Sequence, residues 1–390
     1  MKTGLALCGG GALGSYELGA WKYMRELGMS FDVVTGTSIG AVNGAFVIAD
    51  AFEELEKVWS EIEIDKVIDG GSDLDVETLR RIYSDGSAAT KLVRSYIKNK
   101  GIDVSPYYEL AKSRIVPLHP EKSEKPFGVI VCQYSPVKEM KVRVNGLSSE
   151  SMIDALLGSS AAWPVFPIYV SHTGKKYIDG GWRNNLPIDY ALELGADRVI
   201  AVSLNPIPAP QKAEFEKLPN VTLIKPSMKI GSMFNFSQDV IEQNKELGYL
   251  DAKKAFGNLR GTRYFFSKDG FEGSAYPFMK KVLDPKLSGW AKFKTLCGSK
   301  SRDPVDAYLA YAEKILPLFG IVDKLQEYSF EKLCGTLREA MLSYEPDRKD
   351  LKNELRCYLI RVLKGDSPKK KLGADFEIGR FFVEATFRSE

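Results

Sequence analysis

Apolar positions follow two regimes along the chain. Over roughly the first 250 residues, short apolar runs alternate with stretches of helical period, the pattern of a mostly parallel sheet covered on both faces. Gly4 to Cys8 reads as a buried strand. Leu18, Trp21, Met24 and Leu27 then recur at helical spacing, with Gly28 as the stop. A second unit repeats the order: an apolar run at Phe31, Val33 and Val34, a turn, and a small-residue helix from Ala41 to Ala49. Helical period continues through Phe52, Leu55, Val58, Trp59 and Ile62. Further strands are predicted at Phe127–Cys132, Val137–Val144, Arg198–Leu204 and Val221–Ile224, with a hairpin over Val170–Ile178 turning at Thr173-Gly174. Helices are predicted at Glu150–Leu157, near Pro187–Gly195 and at Phe236–Phe256.

Beyond Asn258 strand signals nearly vanish. Three amphipathic stripes take over: Val305, Tyr308, Leu309 and Ala312 behind Asp303-Pro304; Phe330, Leu333, Leu337 and Met341 behind Ser329; and Leu351, Leu355, Leu359 and Val362. Pro368-Lys369-Lys370-Lys371 reads as a solvated connector. The expected organisation is an α/β domain over 1–258 and a mainly helical region over 259–390.

Composition changes this picture little. Of 390 residues, 44% are hydrophobic and 27% charged, ordinary for a globular protein, and a net charge of +3 does not call for nucleic acid. Residues 259–390 hold 25 Lys/Arg against 19 Asp/Glu, a mildly basic stretch that leaves peripheral contact with an anionic membrane open. The five cysteines lie far apart in no metal-ligand or disulfide spacing, and no apolar run reaches the length of a membrane span. Together with the lack of a signal-type N-terminus, these features predict a cytoplasmic protein without a metal or cofactor.

The chemistry centres on Gly36-Thr37-Ser38-Ile39-Gly40, between a predicted strand and helix. A serine on so sharp a turn needs glycine two positions either side, because side chains there would clash. Its hydroxyl would stand exposed above a helix N-terminus. A serine nucleophile also needs donors for the oxyanion and a base for its proton. The turn Gly9-Gly10-Gly11-Ala12-Leu13-Gly14 can supply unshielded N–H groups, and the N–H of Ile39 would add another. The same Gly9, Gly11 and Gly14 spacing fits a dinucleotide-binding turn, which expects an acid at the end of the second strand. Asp32 lies at that strand's beginning instead, and the serine turn occupies its end.

The base is sought among few candidates. The chain has two histidines, His119 and His172. His119 lies in a proline-flanked loop, and His172 lies at a hairpin turn, far along the strand from Asp179. Asp179 closes an apolar strand and is followed by Gly180 and Gly181; it fits a base at the sheet's edge, and it also fits a plain Asp-Gly turn.

Taken together, these segments resemble bacterial patatin-like phospholipases. The glycine loop at 9–14, the elbow at 36–40, the segment Ser159-Ser160-Ala161-Ala162-Trp163-Pro164, and Asp179-Gly180-Gly181 with Asn185 and Pro187 stand in the family's order, and Gly248-Tyr249 with Asp251-Ala252 is similar to the helix that ends many members. The resemblance implies a three-layer α/β/α fold and a Ser38–Asp179 dyad. It also implies an oxyanion hole from Gly10 and Gly11, and hydrolysis of lipid acyl esters such as phospholipids or other acylglycerols. Two departures stand out: Cys8 where many members carry Asp, and Leu13 where many carry Arg or Lys. A catalytically silent lipid-binding or scaffold protein on the same fold is the alternative.

Overall fold

A computed structural model describes residues 1–71, 102–204, 214–282, 303–345, 353–366 and 374–387. They divide into two compact units, Met1–Ala255 and Phe256–Glu390.

The first unit is built on one mixed sheet. Strands β1 (Thr3–Leu7), β2 (Val33–Thr37), β3 (Phe127–Gln133), β4 (Lys138–Arg143), β5 (Tyr169–Val170), β6 (Lys176–Asp179), β7 (Arg198–Val202) and β8 (Val221–Ile224) follow one another in the chain. Their spatial order is β5-β6-β3-β2-β1-β7-β8, with β4 also paired to β3. β3, β2, β1, β7 and β8 are parallel; β4 and β6 run antiparallel to β3, and β5 antiparallel to β6. The helices are α1 (Ser15–Glu26), α2 (Ile39–Ile48), α3 (Phe52–Glu61), α4 (Ser105–Ile115), α5 (Ser149–Ser159), α6 (Ile188–Glu193) and α7 (Gln238–Ala255).

Period-two alternation assigns the two faces of the sheet. Ala6, Val33, Val199 and Ala201 point to one side and pack with Ile188 and Ala191 of α6. On the other side α2 crosses β1, β2 and β3 so closely that a Cβ on Gly44 would lie 3.1 Å from Phe127 and 3.3 Å from Val34. The helix is buried nearly all round, which explains its lack of charged residues. The result is a three-layer α/β/α arrangement, as the alternating pattern predicted.

Helices α1 and α7 meet through glycine. A Cβ on Gly19 would clash with the carbonyl of Lys245, and one on Gly248 would clash with the carbonyl of Tyr16. The same contact buries a bond from the Tyr16 hydroxyl to Asp251 (3.0 Å), and Asp251 also accepts the N–H of Ser227 (2.9 Å). The Gly248 to Ala252 segment therefore sets helix spacing.

The second unit carries α8 (Glu272–Val282), α9 (Pro304–Ile315), α10 (Phe330–Leu342), α11 (Asn353–Leu363) and α12 (Ala374–Phe387). The stripes predicted for α9, α10 and α11 lie on these helices. Leu351 and the predicted connector at 368–371 lie outside the described residues. Three short strands were not anticipated: β9 (Leu259–Arg260), β10 (Phe265–Ser267) and β11 (Glu327–Tyr328) form a small sheet. Strands this short carry no readable alternation. An aromatic core holds the unit, with Tyr308 stacked on Phe382 at 4.9 Å between ring centroids. The buried Glu313 carboxylate accepts the N–H groups of Thr262, Arg263 and Tyr264 at 2.6, 2.8 and 3.1 Å.

The glycine contact between α1 and α7 sets one expectation. Gly248→Ala should cost about 1–3 kcal/mol through overpacking and lower the thermal midpoint by roughly 3–10 °C. Gly273→Ala, where a Cβ meets nothing within 4 Å, is the control and should leave the midpoint nearly unchanged.

Candidate active site

Three strand ends bring the predicted residues together. β2 ends at Thr37, and Ser38 follows as the N-cap of α2 with φ 55° and ψ −125°. A side chain in this region of backbone space costs on the order of 1–3 kcal/mol and persists only where its surroundings hold it. The flanking glycines permit the turn. A Cβ on Gly36 would strike the Gly40 carbonyl, and one on Gly40 would lie 2.5 Å from the Leu7 carbonyl oxygen. The Ser38 carbonyl accepts the N–H groups of Ala41 (2.9 Å) and Val42 (3.2 Å), which locks the turn onto the helix.

Ser159, at the end of α5, supplies the remaining restraint. Its hydroxyl accepts the Ser38 N–H at 2.8 Å and donates to the Ile130 carbonyl of β3 at 2.6 Å. Ser159 is fully buried, and both functions of its hydroxyl are engaged. The segment around it was singled out in the sequence, but this latch was not.

Asp179 lies two strands from Ser38 in the sheet. Thr37 pairs with Ile130, and the neighbouring Val131 pairs with Asp179. Immediately after Asp179 the chain crosses toward β2, and Gly180 makes that passage possible. A Cβ there would meet the Ile130 carbonyl and lie 3.0 Å from the Thr37 methyl. The Asp179 carboxylate accepts the Gly181 N–H at 2.7 Å, and Asp179 is buried at 3% exposure. Burial raises its pKa to about 6, with the Ser38 hydroxyl and the Gly181 N–H pulling the other way as hydrogen-bond donors.

The glycine loop closes the site from the β1 side. A Cβ on Gly9 would lie 3.0 Å from the Cβ of Ser38, so the loop backbone runs directly against the elbow. Asn185 clamps it there. Its carbonyl accepts the Gly9 N–H at 3.1 Å, and its side-chain amide donates to the Gly9 carbonyl at 3.1 Å. The same amide fills the space that a Cβ on Gly181 would need, so Asn185 joins the glycine loop to the Asp179 turn.

The other loop N–H groups are accounted for. Cys8 donates to Glu17 (2.7 Å), Ala12 to the Met233 carbonyl (2.8 Å) and Leu13 to the Gly10 carbonyl (3.2 Å). Among the described residues, the N–H groups of Gly10 and Gly11 meet no acceptor, and neither does that of Ile39 at the first position of α2. Gly11 has φ +56° and its Cα faces the Met233 carbonyl with no room for a side chain. Gly14 packs on Ile39, where a Cβ would lie 2.6 Å from that side chain.

Beneath the loop lies a carboxyl that the sequence did not mark. Glu17 is buried, accepts Cys8 N–H and the Asn43 amide (2.8 Å), and has its pKa pushed up to about 8 by that burial. Asn43 in turn accepts the Trp59 indole N–H at 3.2 Å. The Cys8 thiol is buried and its pKa is pushed far up, which makes it inert as a nucleophile.

Neither histidine joins this group. His172 Nδ1 pairs with Asp154, which also accepts the Tyr169 hydroxyl at 2.7 Å, and so ties the β5–β6 hairpin to α5. His119 pairs with Glu121 at 3.2 Å.

A protein-family model described as patatin-like phospholipase matches residues 5–192. Patatin-like phospholipase domain-containing protein 7 of Rattus norvegicus is 29% identical over 204 residues, which is 51% of this chain and 13% of that protein. Patatin-like phospholipase domain-containing protein 6 of Homo sapiens is 27% identical over 206 residues, 51% of this chain and 13% of that protein. Lysophospholipase NTE1 of Mycosarcoma maydis is 26% identical over 209 residues, 53% and 10% of the two lengths. The chain thus matches a small part of these relatives' length. The crystal structure of VipD from Legionella pneumophila aligns with a TM-score of 0.43 at 14% identity, covering 99% of this chain and 91% of that one. The elbow, the glycine loop and the Asp179 turn all lie in the region that the patatin-like phospholipase family model matches.

The environment of Asp179 predicts a pH-dependent stability. Its folded pKa of about 6 lies above the 3.8 of a free aspartate, so the folded state holds the proton more tightly. The stability this contributes is present below about pH 4 and is lost as pH rises through 6, up to about 3 kcal/mol for a shift near two units. Asp179→Asn, which keeps the Gly181 bond, should therefore gain on the parent between pH 4.5 and pH 8 in urea unfolding; parallel stabilities at the two pH values would contradict the assignment.

Proposed function

We propose that the chain is a serine hydrolase of lipid acyl esters, with Ser38 as nucleophile, Asp179 as base and the Gly10, Gly11 and Ile39 N–H groups as the oxyanion hole. One observation carries this reading. A strained, buried serine stands beside a buried carboxyl of raised pKa, and the nearby N–H groups of Gly10, Gly11 and Ile39 meet no acceptor among the described residues. The names of the relatives support a lipid substrate.

The chemistry follows from these positions. Asp179 takes the proton of Ser38 as its Oγ attacks the acyl carbonyl, and the carbonyl oxygen gathers negative charge. The free N–H groups and the N-terminus of α2 stabilise that charge without reorganising. Collapse of the tetrahedral species expels the alcohol, which leaves with the proton from Asp179. Water then attacks the acyl-serine, gives its proton to Asp179, and the acid departs as Ser38 regains a proton. A carboxyl at about 6 is a stronger base than a free aspartate and is still mostly ionised at pH 7. It remains weaker than an imidazole, which suits esters better than amides.

Two measurements test the assignment. On a p-nitrophenyl ester series, Ser38→Ala and Asp179→Asn should each lower kcat by roughly 10²-fold or more, while His119→Ala and His172→Ala retain most of it. Wild-type rates in the first two would remove Ser38 and Asp179 from the chemistry, and no hydrolysis by the parent would leave the silent lipid-binding alternative standing. The parent's kcat/KM should also rise with pH through an apparent pKa near 6, as the carboxyl loses its proton. A limb set near pH 8, or none, would remove Asp179 from the base's role.

A further inference from the structure

Of the five large apolar side chains exposed among the described residues of the first unit, Val137, Val170 and Trp182 lie on the β3–β6–β5 edge, around the turn that follows Asp179. Trp182 ends the short helical turn Gly180–Trp182 and is 44% exposed. Its indole N–H donates to the Trp163 carbonyl at 3.3 Å, and the two rings sit 5.8 Å apart. Trp163 in turn meets Tyr134 edge-on at 6.1 Å. Tyr134 N–H donates to the Lys176 carbonyl (3.0 Å), and Lys176 pairs with Val170 in the sheet. On the other flank the Arg183 guanidinium donates to the Val137 carbonyl at 3.2 Å, beside exposed Lys138. Hydrogen bonds and ring contacts thus join these segments into one surface.

A single exposed apolar residue needs no explanation, but a joined aromatic surface does. Tryptophan and tyrosine settle at the boundary between lipid and water, where the ring body is apolar and the polar tip stays wet. Arg183, Lys138 and Lys176 flank the rings and match anionic headgroups. Asp179 is three residues from Trp182, so a bilayer seated on this edge would lie at the mouth of the candidate site.

We propose that this aromatic and basic edge docks on an anionic lipid surface and presents the site to its substrate. The substrate role rests on the esterase reading above; the docking itself does not. Vesicles of phosphatidylcholine mixed with phosphatidylglycerol, and of phosphatidylcholine alone, should be co-sedimented with the full chain carrying Ser38→Ala to prevent hydrolysis. The parent should bind the mixed vesicles more tightly. Adding Val137→Ser and Trp182→Ser should weaken binding to both vesicles by roughly tenfold. Lys138→Gln with Arg183→Gln should weaken only the anionic case and flatten its salt dependence. With Ser38 restored, the Val137/Trp182 variant should hydrolyse a short soluble p-nitrophenyl ester at the parent's rate. Equal vesicle binding by parent and Val137/Trp182 variant, or no binding by the parent, would overturn the proposal and would include the case of a protein partner for this edge. Vesicle binding that depends on Trp182 in a chain with no ester hydrolysis would uphold the surface and reject the esterase reading.

Discussion

The bond from the Ser38 N–H to the Ser159 hydroxyl is the contact on which the site's geometry depends. An elbow at φ 55° does not hold itself; the glycines at 36 and 40 only allow it. The Ser159 hydroxyl passes the restraint on to β3 through the Ile130 carbonyl, and β3 is the strand that pairs with both β2 and β6. The serine turn and the aspartate turn are therefore referenced to the same strand. Burial serves the same end, because a carboxyl at 3% exposure has few ways to move away from its neighbours.

Glycine plays a second role around this centre. At Gly9, Gly14, Gly36, Gly40, Gly180 and Gly181 the missing side chain is replaced by backbone or by a neighbouring side chain. Close approach puts Asn185 between the glycine loop and the Asp179 turn and lays β1's loop against Ser38. The loop's hydrogen bonds then divide its N–H groups into those that fix the fold and those, at Gly10 and Gly11, that meet no acceptor among the described residues.

Much of this was legible because the constraints are steric and local. Glycines two positions either side of Ser38 follow from the turn itself, and the strand ending at Asp179 shows in its apolar run. The alternation of strands and helices announced the layered fold. The supporting residues were not legible. Glu17 occupies an early helical position where a surface glutamate is ordinary, and only the fold buries it against Cys8 and Asn43. Ser159 and Ser160 are indistinguishable in the chain; the end of α5 turns one toward Ser38 and leaves the other bonded to the Leu156 carbonyl. In the second unit, strands as short as Leu259–Arg260 leave no alternation to read, and α8 carries Pro277 inside a helical stretch, which masks its period.

The hydroxyls of Ser159 and Ser160 carry a further implication for chemical selectivity. Ser159 lies against the Ser38 turn and Ser160 follows it in the chain, and both spend their protons on backbone carbonyls. Their oxygens cannot shed that proton without breaking a buried bond that has no replacement. Identical functional groups are thus set apart by prior commitment rather than by shape, because the fold already holds the protons of Ser159 and Ser160.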